Sequence, residues 1–169
     1  DKELLETIAN KLAPILYVRL QRDSQDEKRK QAEEALRESE EKYRTLYDME
    51  SDALALIEIE TGDMLDVNKA FIELYGYSKE EILRMKNTDF SAEPEMTKQV
   101  TQARSTYVPI RYHKKKDGTV FPTEISANIF KYQGRNVHIA AMRDITGRKK
   151  TEETLQENEK KYRHLFSTI

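Results

Sequence analysis

Residues 29–47 return 119 positions later as residues 148–166, with eleven of nineteen positions identical and an aromatic ring kept at Tyr47/Phe166. A fixed period reveals the building unit before any local signal does. Here the unit is a charged helix followed by a stretch about as long as a small domain. The chain opens on Asp1 rather than Met and stops inside the second copy. The expectation is an excerpt from a modular array.

Charge is spread unevenly around that repeat. Residues 21–31 contain no apolar side chain, whereas 53–59 are nearly all apolar. The overall 36% charged and 37% hydrophobic content therefore averages a core domain with solvated helices. A net charge of −2 argues against nucleic acid or an anionic membrane as partner. The basic run Lys114-Lys115-Lys116 reads as a solvated hairpin end. No cysteine is present, which removes disulfides, thiolate metal sites and cysteine nucleophiles, and fits a reducing compartment. No apolar run approaches the ~20 residues a bilayer span needs, and no signal peptide is visible. A cytoplasmic segment without membrane contact is expected.

Leu4, Leu5, Ile8, Leu12, Ile15 and Leu16 recur at helical spacing and predict one buried helix face, bent or broken at Pro14. From Ala32 a heptad-like seam runs through Leu36, Ser39, Tyr43 and Leu46, and its copy through Thr151, Leu155, Asn158, Tyr162 and Leu165. Spacings of four and three suit a two-stranded coiled coil. The seam is short and partly polar, so a solvated spacer helix is the other reading.

Between the copies the period changes. Residues 53–60 and 64–67 read as strands around a Thr61-Gly62-Asp63 turn, and 68–75 as a short helix stopped by Gly76. Ser78 and Glu81 form a capping box for the next helix, and residues 95–106 give a third. Three longer strands follow: 107–115, 119–132 and 136–145, joined by turns at Asp117-Gly118 and at 133–135. The last lacks polar alternation over Val137–Met142, so both faces should be covered, the outer one by the helix ending in Tyr43, Leu46 and Tyr47.

Two strands, three short helices and three strands between charged helices resemble the PAS family of sensory domains. The motifs are Ser51-Asp52-Ala53, Asp66-Val67-Asn68-Lys69-Ala70-Phe71, Tyr75-Gly76-Tyr77-Ser78-Lys79-Glu80-Glu81-Ile82, Lys115-Lys116-Asp117-Gly118 and Arg143-Asp144-Ile145-Thr146-Gly147-Arg148-Lys149. Arg84 and Lys69 depart from the usual residues at surface-like helix ends. The resemblance implies an α+β fold, a five-stranded antiparallel sheet with short helices on one face, flanked by coiled-coil-like helices. Its implied organisation is a helix over 1–22 resembling the end of a GAF domain, a charged linker helix over 23–42, a PAS domain over 43–147, and an exit helix over 148–169 leading into a next PAS domain.

Ligand classes of the family each need their own residues. Without cysteine, the cysteinyl-flavin and the thioester-linked chromophore are disfavoured, and with no histidine in 95–106 so is haem. His113 reads as a residue near a hairpin end, His164 as part of the exit helix and His138 as a strand residue that could face the cavity but is read as structural; three scattered histidines support no metal cluster. No phosphate loop, nucleophile–base pair or kinase phosphoacceptor motif is visible, so this segment is read as non-enzymatic.

An unidentified small molecule stays a candidate. By the family's geometry its pocket would be lined by Leu56, Ile72, Tyr75, Ile82, Met96, Val100, Ile110, Tyr112, Ile125, Ala127, Ala140 and Met142, a set that also reads as ordinary core. The resemblance assigns signal transfer to Asp144, Ile145, Thr146 and Arg148, with Asp144 pairing Arg148 and Thr146 capping the exit helix. Leu36, Tyr43, Leu46, Leu155, Tyr162 and Leu165 form the expected homodimer seam. Two functions follow: a ligand-responsive sensor module of a sensory histidine kinase, joined to GAF, PAS and output neighbours, or a ligand-free dimerisation relay in a histidine kinase or a diguanylate cyclase.

Overall fold

The computed structural model describes residues 2–167, and their side chains except at 3–6, 8, 9 and 164–167. Leu4, Leu5, Ile8, His164 and Leu165 of the sequence reading therefore have side chains outside the described residues. The chain divides into two units, 1–46 and 47–169.

The first unit is helix α1, Lys2–Met49, whose last turn belongs to the second unit. Its charged stretch is laced by same-face ion pairs such as Arg29–Glu33 at 3.6 Å. The helix runs through Pro14 without the expected break. Leu12, Ile15 and Leu16 are about half exposed rather than forming a buried face. Leu36, Tyr43 and Leu46 also face outward, at 61, 53 and 62% exposure.

The second unit contains β1 (Ala53–Glu58), β2 (Met64–Val67), α2 (Lys69–Tyr75), α3 (Lys79–Ile82), a 3-10 helix (Asn87–Phe90), α4 (Pro94–Gln102), β3 (Tyr107–Lys114), β4 (Val120–Tyr132), β5 (Arg135–Asp144) and α5 (Thr146–Ser167). The five strands are antiparallel in the order β2-β1-β5-β4-β3. This is the expected α+β arrangement, with β5 at the centre. Its low polar alternation goes with residues 137–142 being buried or half-buried on both faces.

Local chemistry sets the connections. Gly76 ends α2 at φ 79°, a left-handed conformation open to a residue without Cβ. The predicted capping box starts α3: Glu81 N–H donates to Ser78 Oγ at 3.3 Å and Ser78 N–H to Glu81 Oε2 at 2.8 Å. Asn68 caps α2 by accepting from Phe71 N–H at 2.9 Å.

The core lies on one sheet face. Ala53, Ala55 and Ile57 of β1, Ala127 of β4 and Ala140 and Met142 of β5 meet Phe71, Tyr75, Ile82 and Phe90 from the helical layer. Small sheet residues leave room for the rings, and Phe71 and Tyr75 stack with centroids 4.3 Å apart while Phe90 meets both edge-on. On the opposite face Leu56 and Val137 are buried and Ile139 and Ala141 half-buried. Of the three residues expected to cover that face, only Tyr47 is buried. Its hydroxyl donates to Leu54 O at 3.4 Å, whereas Tyr43 and Leu46 fall in the other unit and are exposed.

Candidate functional site

A cavity of about 50 Å³ lies between the inner sheet face and the helices, walled by β1, β3, β4, β5, α2, α4 and the 3-10 helix. Water occupies roughly 10–15 Å³ by this measure, whereas drug-sized pockets run to hundreds of Å³. The space suits a molecule of a few heavy atoms.

Five of the twelve predicted lining residues border it: Val100, Ile125, Ala127, Ala140 and Met142. Tyr75 and Ile82 are fully buried in the core beside it, and Ile72 packs against that core. Met96 is 47% exposed, because α4 turns Val100 and Thr101 inward instead. Leu56 sits on the opposite sheet face, since its neighbours Ala55 and Ile57 point into the core.

Ile110 and Tyr112 fail for an informative reason. Strand alternation from Val108 would turn both inward, but the β3–β4 register shifts between Val108 and Arg111. Pro109 lies in that irregular stretch, where a residue without an N–H is tolerated. The extra residue swaps faces. Val108, Arg111 and His113 line the cavity, while Ile110 and Tyr112 are 44 and 39% exposed.

The swap places polar groups where apolar ones were expected. His113, near the hairpin end of β3, is 3% exposed. Its Nδ1 is hydrogen-bonded to the Tyr75 hydroxyl, and its Nε2 is buried without a partner. Burial, helped by the Arg111 charge, pushes its pKa down to about 4, and burial raises that of the Tyr75 phenol. The Arg111 side chain is 12% exposed, 3.8 Å from Glu93 through one terminal nitrogen, and its Nε is buried and unpartnered. His138, paired with Ile57 and Ile129, also borders the cavity and has a buried, unpartnered Nε2. Asn87 donates to Thr101 Oγ1 at 2.8 Å on the helical side. Only the bulge signal at Pro109 could have revealed the β3 residues from sequence. Among the described residues no group of three or more His, Cys, Asp or Glu could hold a metal ion, and no helix is long and apolar enough to cross a membrane.

The exit from β5 is built differently from expectation. Asp144 does not pair with Arg148. Its carboxylate accepts from Thr146 N–H at 2.8 Å and so caps α5, while Thr146 Oγ1 is buried without a partner. Arg148 instead reaches Glu124 on β4 at 3.2 Å, and Glu124 also accepts from Tyr107 of β3 at 2.9 Å. These two donors hold the Glu124 carboxyl below its usual range. Lys149 donates to Tyr112 Oη at 3.3 Å, and Ile145, buried, donates its N–H to Pro122 O. Arg143 forms a bidentate pair with Asp52 at 2.6 and 2.9 Å. The first turn of α5 is thus clamped to β3 and β4. Leu155 and Tyr162, further along, are exposed.

A sheet with three short helices on one face and a capped exit helix after the last strand matches a known family model, described as PAS domain, over residues 51–147. The chain belongs to the PAS domain family. A curated relative, the methyl sulfide methyltransferase-associated sensor of Methanosarcina acetivorans, is 38% identical over 127 residues, which are 72% of this chain and 13% of the relative. The chain therefore spans a small part of that protein's length. Among solved structures, the PAS domain of an HTR-like protein from Haloarcula marismortui aligns with a TM-score of 0.62 at 21% identity, covering 69% of this chain and 99% of that one. A PAS domain from a two-component sensor histidine kinase aligns with a TM-score of 0.56 at 20% identity, covering 63% of this chain and 97% of that one. At such identities these two report the fold of the PAS domain alone.

Proposed function

We propose that this PAS domain is a small-molecule sensor module of a sensory histidine kinase, acting as a homodimer and passing its signal from β5 into α5. The segment itself carries out no catalysis and works in the cytoplasm beside GAF, PAS and output domains. The observation that carries this reading is continuity: Met142 borders the cavity, and two residues later Asp144 caps α5. A change in cavity contents pushes on the same strand whose end orients the exit helix. The name of the 38%-identical relative, a sensor, agrees with it. Asp144, Ile145, Thr146 and Arg148 would act by geometry, since an exposed ion pair such as Arg148–Glu124 is worth only about 0–1 kcal/mol.

A second reading, a ligand-free relay, is favoured by the small cavity and by the exposed seam residues Leu36, Tyr43, Leu46, Leu155 and Tyr162. Native mass spectrometry of the purified chain separates the two. A dimer carrying a stoichiometric small molecule supports the sensor, a bare dimer supports the relay, and a monomer at high concentration contradicts both.

A further inference from the structure

Resting on the reading of α5 as the signal's exit, we propose that β3 is a second route into that helix. It couples the approach to α4 with the first turn of α5, and Tyr112 is its positioning residue. Tyr112 is bonded on both sides. Its carbonyl accepts from Ala92 N–H at 2.8 Å, in the segment that leads into α4. Its hydroxyl accepts from Lys149 Nζ at 3.3 Å, and that ammonium lies 5.6 Å from the centre of the ring.

The neighbours on β3 repeat the arrangement. Toward the helical layer, His113 forms a bridge with Ser91, and the Arg111 guanidinium lies 3.8 Å from Glu93, the N-cap of α4. On the outer face, the Tyr107 hydroxyl donates to Glu124 at 2.9 Å, and Glu124 holds Arg148 at 3.2 Å. Helix α4 in turn borders the cavity through Thr97, Val100 and Thr101. A shift of α4 therefore reaches Arg148 and Lys149 without passing through β5.

The bulge in β3 makes this route possible. Between the Val108–Ile125 and Arg111–Thr123 pairs, Pro109 and Ile110 stand against Glu124 alone. In an unbroken strand, alternation from Val108 would put Arg111 on the outer face and Tyr112 on the inner one. The extra residue reverses both, which gives Arg111 to α4 and Tyr112 to α5. It also sets the local bend of the strand directly opposite the residue that grips Arg148. Exposed pairs of this kind are individually weak, so the coupling acts through geometry.

Hydrogen exchange of the whole chain tests it, read at amides 149–152, the first bonded turn of α5, with the β5 amides as reference. Glu93→Gln frees Arg111 from α4 at a part-exposed site. It should speed exchange at 149–152 at least about threefold, beyond the scatter of independent sites, with β5 unchanged. In a Tyr107→Phe/Tyr112→Phe background, which keeps both rings and cuts both tethers, Glu93→Gln should add nothing. No response in wild type, the same threefold change in the Phe background, or equal acceleration in β5 through general loss of stability would overturn the route. Ala140→Val separates this route from the one through β5. If it perturbs α5 while Glu93→Gln does not, β3 is removed and the β5 route stands; the reverse result keeps β3 and removes β5.

Discussion

Asn68 is fully buried and its amide joins three parts of the PAS domain. Its Oδ1 accepts from Leu54 N–H and Phe71 N–H, both at 2.9 Å, while its Nδ2 donates to Tyr47 O at 3.1 Å and Asp52 O at 3.0 Å. One side chain thereby ties the last turn of α1, the start of β1 and the N-terminus of α2. Asn68→Ala strands several buried donors and acceptors together, so denaturant titration should find a loss of about 2–4 kcal/mol. A loss within the error of an exposed substitution would show that these bonds are replaceable. His113 sets a pH dependence. Its folded pKa near 4 lies below the ordinary 6.5, so its contribution is complete above pH 6.5 and is lost as pH falls toward 4. The loss should be on the order of 3 kcal/mol. Unfolding free energies between pH 7 and 4.5 should fall in wild type and flatten in His113→Gln; equal slopes would contradict a buried neutral imidazole.

Among the elements, those with strong local grammar were legible in the sequence. The Ser78/Glu81 box, the Gly76 stop and the Asp117-Gly118 turn each fix backbone over a few residues, and each stands as the pattern implies. The cavity wall was legible where alternation is unbroken, along β4 and β5, and illegible on β3, where one bulge reverses every inward position after Val108. The Arg148–Glu124 pair was not legible in the sequence, because it depends on the register of β4, and register is a tertiary fact. Glu124→Gln should therefore loosen the first turn of α5 without unfolding the domain. Its melting temperature should stay nearly constant, since the pair is worth about 0–1 kcal/mol, while amides of 148–152 exchange faster. Unchanged exchange there would mean that the clamp does not restrain the helix.

At the scale of the molecule, the repeat of residues 29–47 at 148–166 places equivalent leucines and tyrosines on α1 and α5, and those whose side chains are described are exposed. Exposed rows at this spacing suit a two-stranded coiled coil. Sedimentation should show a concentration-dependent dimer that Leu36→Glu with Leu155→Glu converts to monomer; a dimer that survives both charges would place the interface elsewhere. The proposed sensor joins the cavity and the exit helix mechanically through β5. Ala140→Val tests it directly, adding two carbons into the cavity wall without touching the junction. Hydrogen exchange of the whole chain should then change in residues 147–152 by at least about threefold, along with β5. A perturbation confined to the strands, with α5 exchanging as in wild type, would contradict the account.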